Sequence, residues 1–233
     1  NGVGRVVNVG SSIETTRKTL ELVKVYDFIY GAAGIHPEHI MQFEDADKYP
    51  NLYTELEAAL QKEKIVALGE IGLDYHYEEP EKNFQKKHFM KQLELAKKIG
   101  KPVIIHSRDA AADTLEIMRE QKAEEIGGIV HCFSYGKEMA AEYLKMGFYI
   151  GIGGVLTFKN AKKLKEVAEY VPMDRIVLET DCPYMAPEPH RGTRNNSENL
   201  KYVVDVLAEI KGLSKEEIML KTWENGNQVY GIS

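Results

Sequence analysis

Four apolar runs in this chain each end in a side chain that ionises or binds metal. IVALGE ends at Glu70, PVIIH at His106, GGIVH at His131 and RIVLETD at Asp181. Runs this short, rich in Val, Ile and Leu, suit parallel strands buried on both faces. Alternation along each strand sets aliphatic residues on the side of the polar tip. Val66 and Leu68 share the side of Glu70, Ile104 that of His106, Ile129 that of His131, and Val177 with Glu179 that of Asp181. An open doubly wound sheet would gather its site at one switch point. Polar tips on most strand ends favour a ring, with the site on the carboxyl-end face of an α/β barrel.

Strand and helix signals alternate along the whole chain. Strands are expected at Arg5–Gly10, Phe28–His36, Ile65–Glu70, 102–106, 127–131, 148–154 and Arg175–Asp181. Helices are expected from a Ser11/Ser12 cap to Val25, and over 52–62, 81–99, 110–125, 137–146 and 161–170. The tail from Ser197 holds one long helix, then a second opened by Ser214 with Glu217 as its capping box. No Pro- or Gly-rich linker interrupts this order, so residues 1–233 read as one domain. Right-handed crossovers are expected throughout. A closed (β/α)8 barrel needs one more unit than these seven. The chain starts at Asn1 rather than Met, and the missing first strand and helix are expected before it.

The 233 residues, 43% of them hydrophobic, can bury one substantial core. A net charge of −6 gives no broad attraction to nucleic acid, so cations and a few local Arg or Lys would have to supply it. Two cysteines, Cys132 and Cys182, make no disulfide framework, and a cytoplasmic location is the default. Alternation turns both thiols away from the polar tips, into a buried position between strand and helix. No apolar run reaches membrane-spanning length. Oligomeric state is not legible.

Carboxylates and neutral imidazoles at neighbouring strand ends suit Zn, Mn, Fe or Ni, and a carboxylate-rich set also accepts Mg. Glu70, His106, His131 and Asp181 are therefore the candidate metal ligands, with Glu70 and Asp181 as the candidate catalytic carboxylates. Asp181 would double as general base, and Glu179 would orient a ligand. His36, also at a strand end, is a candidate substrate contact. The basic loop HRGTRNN supplies His190, Arg191 and Arg194, whose guanidinium forks match phosphate oxygens. Arg108 and Lys159 are further substrate candidates. His76 and His88 read as exposed.

Taken in order, GIHPE, GEIGLDYH, IIHSRDA, HCFS, GGVLTFKNA, ETDCPY and RGTRN resemble the TatD family of metal-dependent hydrolases across nearly the whole chain. The resemblance implies a TIM (β/α)8 barrel of the metal-dependent hydrolase type and phosphodiesterase activity, typically deoxyribonuclease. It also implies a divalent metal site, often with two ions, whose ligand positions match Glu70, His106, His131 and Asp181. The family carries an H-x-H pair at the end of its first strand, and no H-x-H occurs in these residues. The pair is expected in the preceding strand. Without it the site would keep four ligands instead of six.

The expected chemistry is phosphodiester hydrolysis assisted by two divalent cations, with DNA or another phosphodiester as substrate and 3′–5′ exonuclease-like action. Amide or aminoacyl-tRNA ester hydrolysis on the same scaffold is the alternative within enzymes. A degenerate, non-catalytic member is the alternative outside them.

Overall fold

A computed structural model describes residues 2–45 and 47–232. Main-chain contacts group the described residues into two compact units, one within 4–128 and one within 129–232 that also takes in residues 2 and 3. Among the described residues, no helix is long and apolar enough to cross a membrane.

The first unit carries four parallel strands paired in chain order: β1 (Val6–Gly10), β2 (Ile29–Ala33), β3 (Ile65–Asp74) and β4 (Val103–Arg108). Helix α1 (Ile13–Val25) follows β1. Its N-cap Ser12 accepts a hydrogen bond from the Thr15 amide, and the Thr15 hydroxyl closes a capping box. Such a cap is worth about 1 kcal/mol. Helix α2 (Leu52–Leu60) precedes β3, α3 (Lys82–Ile99) follows it, and α4 (Ala111–Glu120) follows β4. Fully buried Ile65, Ala67, Leu68, Val103 and Ile105 show why these runs are aliphatic: their strands are covered on both faces.

The remainder holds β5 (Gly128–Val130), β6 (Tyr149–Ile152) and β7 (Ile176–Leu178), again parallel and paired in chain order. Helices α5 (Lys137–Lys145) and α6 (Lys162–Tyr170) connect them, and α7 (Leu200–Lys211) and α8 (Lys215–Tyr230) close the chain. The Ser214/Glu217 capping box opens α8 as the sequence indicates.

Six of the seven strand ends differ from the sequence reading, three of them by three or more residues. β3 does not stop at Glu70; its register shifts between Gly69 and Ile71, and the strand runs on to Asp74. A bulge admits one extra residue without ending the ladder. β2 stops at Ala33, leaving His36 to cap a 3-10 segment, Pro37–Phe43. β7 stops at Leu178, and Asp181 takes a left-handed conformation with φ 51°. Alternation therefore no longer governs Cys182, which is exposed, while Cys132, with φ 44°, is half-buried. The expectation of two buried thiols fails because neither lies within a regular strand.

His88 is also corrected: it is buried on α3, not exposed. Its ring stacks on Phe43 at 4.4 Å and tilts against Phe84 at 4.4 Å, and its Nδ1 lies 3.0 Å from the Tyr53 hydroxyl. His76 is exposed, as expected.

Candidate active site

The first unit brings three metal-capable groups together. His36, Glu70 and His106 each offer a ligand atom, all within 4.8 Å of one another. His36 starts the 3-10 segment after β2, Glu70 sits at the bulge in β3, and His106 lies on β4. His36 is buried; Glu70 and His106 are half-buried, with side-chain exposures of 17% and 15%.

The two imidazoles are held differently. His106 lies between two carboxylates, with Nδ1 at 2.8 Å from Glu70 and Nε2 at 3.0 Å from Asp74. Asp74 is 3% exposed. Burial pushes its carboxyl up, but the His106 hydrogen bond, the His76 amide and the charges of His106 and Arg108 outweigh that and hold it below the usual carboxylate range. An ionised Asp74 accepts a proton from Nε2, which leaves the Nδ1 lone pair facing Glu70. A carboxylate fixing the far nitrogen of a histidine is the arrangement that metal-binding imidazoles use. Glu70 and His106 thus fit a divalent cation.

His36 is the same Nε2–H tautomer presented the other way round. Its Nδ1 accepts the Glu38 amide at 3.2 Å, so in the neutral ring Nε2 carries the proton, directed at Glu70 3.5 Å away. That proton makes His36 a donor rather than a lone-pair ligand.

Asp74 is the site residue that the sequence reading missed, because that reading ended the strand at Glu70. The available signal was GEIGLD, which sets two carboxylates four residues apart around Gly72. Gly72 pairs with His106 in the ladder. With φ 147° and only 1.9 Å between an added Cβ and the His106 carbonyl oxygen, that position accepts no side chain.

Arg108 is exposed, with its guanidinium 5.7 Å from the centre of the Tyr77 ring.

In the second unit, Glu179 reaches His131 across β6. Its carboxylate contacts His131 Nδ1 at 3.1 Å and accepts the Cys132 amide at 2.6 Å. Gly151 makes room for this: a Cβ there would lie 2.9 Å from Glu179 Oε2. Glu179 therefore holds the His131 ring. Asp181 is half-buried in the turn beyond β7, where its carbonyl accepts the Tyr184 amide at 2.9 Å. Buried Asn195 ties the basic loop to this segment, donating its side-chain amide to Thr180 O at 2.7 Å and its main-chain amide to Pro183 O at 2.9 Å. Within that loop His190 lies 3.0 Å from the Tyr202 hydroxyl, Arg191 covers the Phe158 ring at 4.2 Å, and Arg194 is exposed. Lys159 is exposed as well.

Parallel strands carrying imidazole and carboxylate groups at their carboxyl ends define a hydrolase of the metal-dependent barrel class. A family model described as TatD related DNase matches residues 1–231. The chain belongs to this TatD family of metal-dependent hydrolases. It is 45% identical over 231 residues to the uncharacterized metal-dependent hydrolase YabD of Bacillus subtilis, covering 99% of this chain and 89% of that protein. It is 40% identical over 212 residues to YcfH of Escherichia coli K12, another uncharacterized metal-dependent hydrolase, covering 91% of this chain and 77% of that one. The crystal structure of YjjV, a TatD homolog from E. coli K12, superposes with a TM-score of 0.91 at 30% identity, covering 100% of this chain and 88% of that one. The fold class is accordingly the TIM barrel of these hydrolases.

Proposed function

We propose that this protein hydrolyses phosphodiester bonds with the help of a divalent metal, acting as a deoxyribonuclease. The observation that carries the reading is the pairing of Glu70 with an imidazole whose far nitrogen is fixed by a buried carboxylate. Glu70 and His106 would hold a cation; His131 and Asp181 are further ligands, and a second ion an expectation, on the sequence match alone. The bound cation would supply Lewis acidity, drawing charge from phosphoryl oxygens and lowering the pKa of a water.

The chain's own residues do the rest. Asp74 keeps the His106 lone pair directed at the cation position. His36, protonated on Nε2, donates to a substrate oxygen. Asp181 takes the proton of the attacking water. Arg108, Lys159, His190, Arg191 and Arg194 offer positive charge to phosphates that an acidic chain would otherwise repel.

A side-by-side assay tests the substrate class. DNA, RNA, bis(p-nitrophenyl) phosphate, a carboxylic ester and an amide are incubated with protein and each divalent metal. Cleavage of DNA and the phosphodiester above the carbonyl substrates supports the reading. Preferential ester or amide cleavage favours an amidohydrolase or deacylase instead.

A further inference from the structure

Helix α3 buries a polar stripe where an amphipathic helix would normally place aliphatic residues. Gln85 and Gln92 are each 1% exposed. Seven residues apart, they lie on one face. Burying a primary amide is costly unless every hydrogen bond is recovered. Both side chains bond to main-chain groups, and each grips one residue by both its amide and its carbonyl. Gln92 accepts the Ile35 amide at 2.9 Å and donates to the Ile35 carbonyl at 3.0 Å. Gln85 accepts the Asp74 amide at 2.8 Å and donates to the carbonyls of Asp74 at 2.8 Å and Pro80 at 2.7 Å.

The two clamped residues are the ones that matter for the site. Ile35 lies beyond the last residue of β2 and immediately precedes His36. Asp74 is the last residue of β3 and fixes His106. Each glutamine offers a donor and an acceptor side by side, as a neighbouring strand would. Together they extend main-chain pairing onto the segments that carry the functional groups.

We infer that Gln85 and Gln92 are positioning residues: α3 uses them to set Asp74 and His36 against His106 and Glu70. This rests on the metal-site reading above. It divides the work between the two glutamines. Gln85 governs how well His106 is presented to a cation, and Gln92 governs how His36 meets the substrate.

The experiment compares Gln85→Met and Gln92→Met, near-isosteric changes that remove the hydrogen bonds, with Asn225→Leu. Asn225 is a matched control: it is a buried clamp that donates to Met173 O and Ile176 O at 2.7 Å, at the start of β7. Metal dissociation constants by chelator competition, KM and kcat for bis(p-nitrophenyl) phosphate, and Tm are measured for each. Gln85→Met should weaken metal binding by about 10- to 100-fold. Gln92→Met should raise KM several-fold with metal affinity little changed. Asn225→Leu should lower Tm with both constants intact. Glutamine variants that lose Tm yet keep metal affinity and KM within about twofold would overturn the inference. If the Met variants do not fold, Gln85→Glu and Gln92→Glu, which keep the acceptor and lose the donor, are read the same way. If the wild-type protein binds no divalent ion, the metal reading falls on its own. The inference is then decided by crystal structures of the variants, where an unchanged 3.0 Å His106–Asp74 contact and 3.5 Å His36–Glu70 separation would overturn it.

Discussion

His106 turns its Nε2 onto the buried carboxylate of Asp74 at 3.0 Å, while its Nδ1 faces Glu70 at 2.8 Å. A neutral imidazole between two carboxylates has a single N–H, for which the two acceptors compete. With Asp74 on the protonated side, the other nitrogen and Glu70 become a ready pair of cation ligands. Asp74→Asn keeps the shape of this contact and removes its charge. It should weaken divalent metal binding by about 10- to 100-fold with a much smaller effect on folding. Calorimetric titration of wild type and variant checks this.

Glu179 and His131 give a second expectation. Gly151→Ala puts a methyl where the Glu179 carboxylate now passes. The carboxylate is the end of a flexible side chain and can move aside, but the His131 Cα, 3.1 Å from the same methyl, is main chain, so stability should fall by about 1–3 kcal/mol. The change should also cost the His131 contact, visible as a lengthening of the 3.1 Å separation in a crystal structure of the variant. Gly72→Ala is the contrasting case. Its Cβ meets main chain at a φ that L residues avoid, and urea unfolding should show a loss of several kcal/mol.

That Glu70, His106 and His131 lie on or just beyond buried parallel strands was legible because a strand buried on both faces leaves a plain sequence mark: an aliphatic run followed by a polar residue. Asp74 was hidden by the bulge at Glu70, a main-chain event with no hydrophobicity signature. His88 was hidden by its neighbours. Gln85, His88 and Gln92 occupy one buried helix face, and periodicity reads such polar positions as solvent-facing. The basic loop stood out by composition, yet only the Asn195 contacts show that it is tied to the Asp181 segment. The alternation argument served inside strands and failed at Cys182, where the strand had already ended.

The stability of the fold should depend on pH through His88. Burial, with a smaller contribution from Lys87 and Lys91, pushes its imidazole down to about 4 from 6.5. The unfolded chain therefore takes up this proton first. The His88 contribution is intact above pH 6.5, is lost as pH falls from 6.5 to about 4, and stops changing below that. At about 1.4 kcal/mol per pKa unit, the whole loss approaches roughly 3 kcal/mol. His88→Phe, which keeps an aromatic ring against Phe43, should flatten unfolding free energy over this window. A slope equal to that of wild type would remove His88 as its source.

The most direct measurement is a paired titration: metal bound per chain and rate of DNA cleavage, recorded together as Mn, Zn or Mg is returned to chelator-stripped protein. Cleavage should be absent without metal and rise in step with occupancy. Glu70→Ala should lose both by at least about 100-fold. Cleavage that persists without bound metal, or a Glu70→Ala variant that binds metal and cleaves DNA as wild type does, would contradict this.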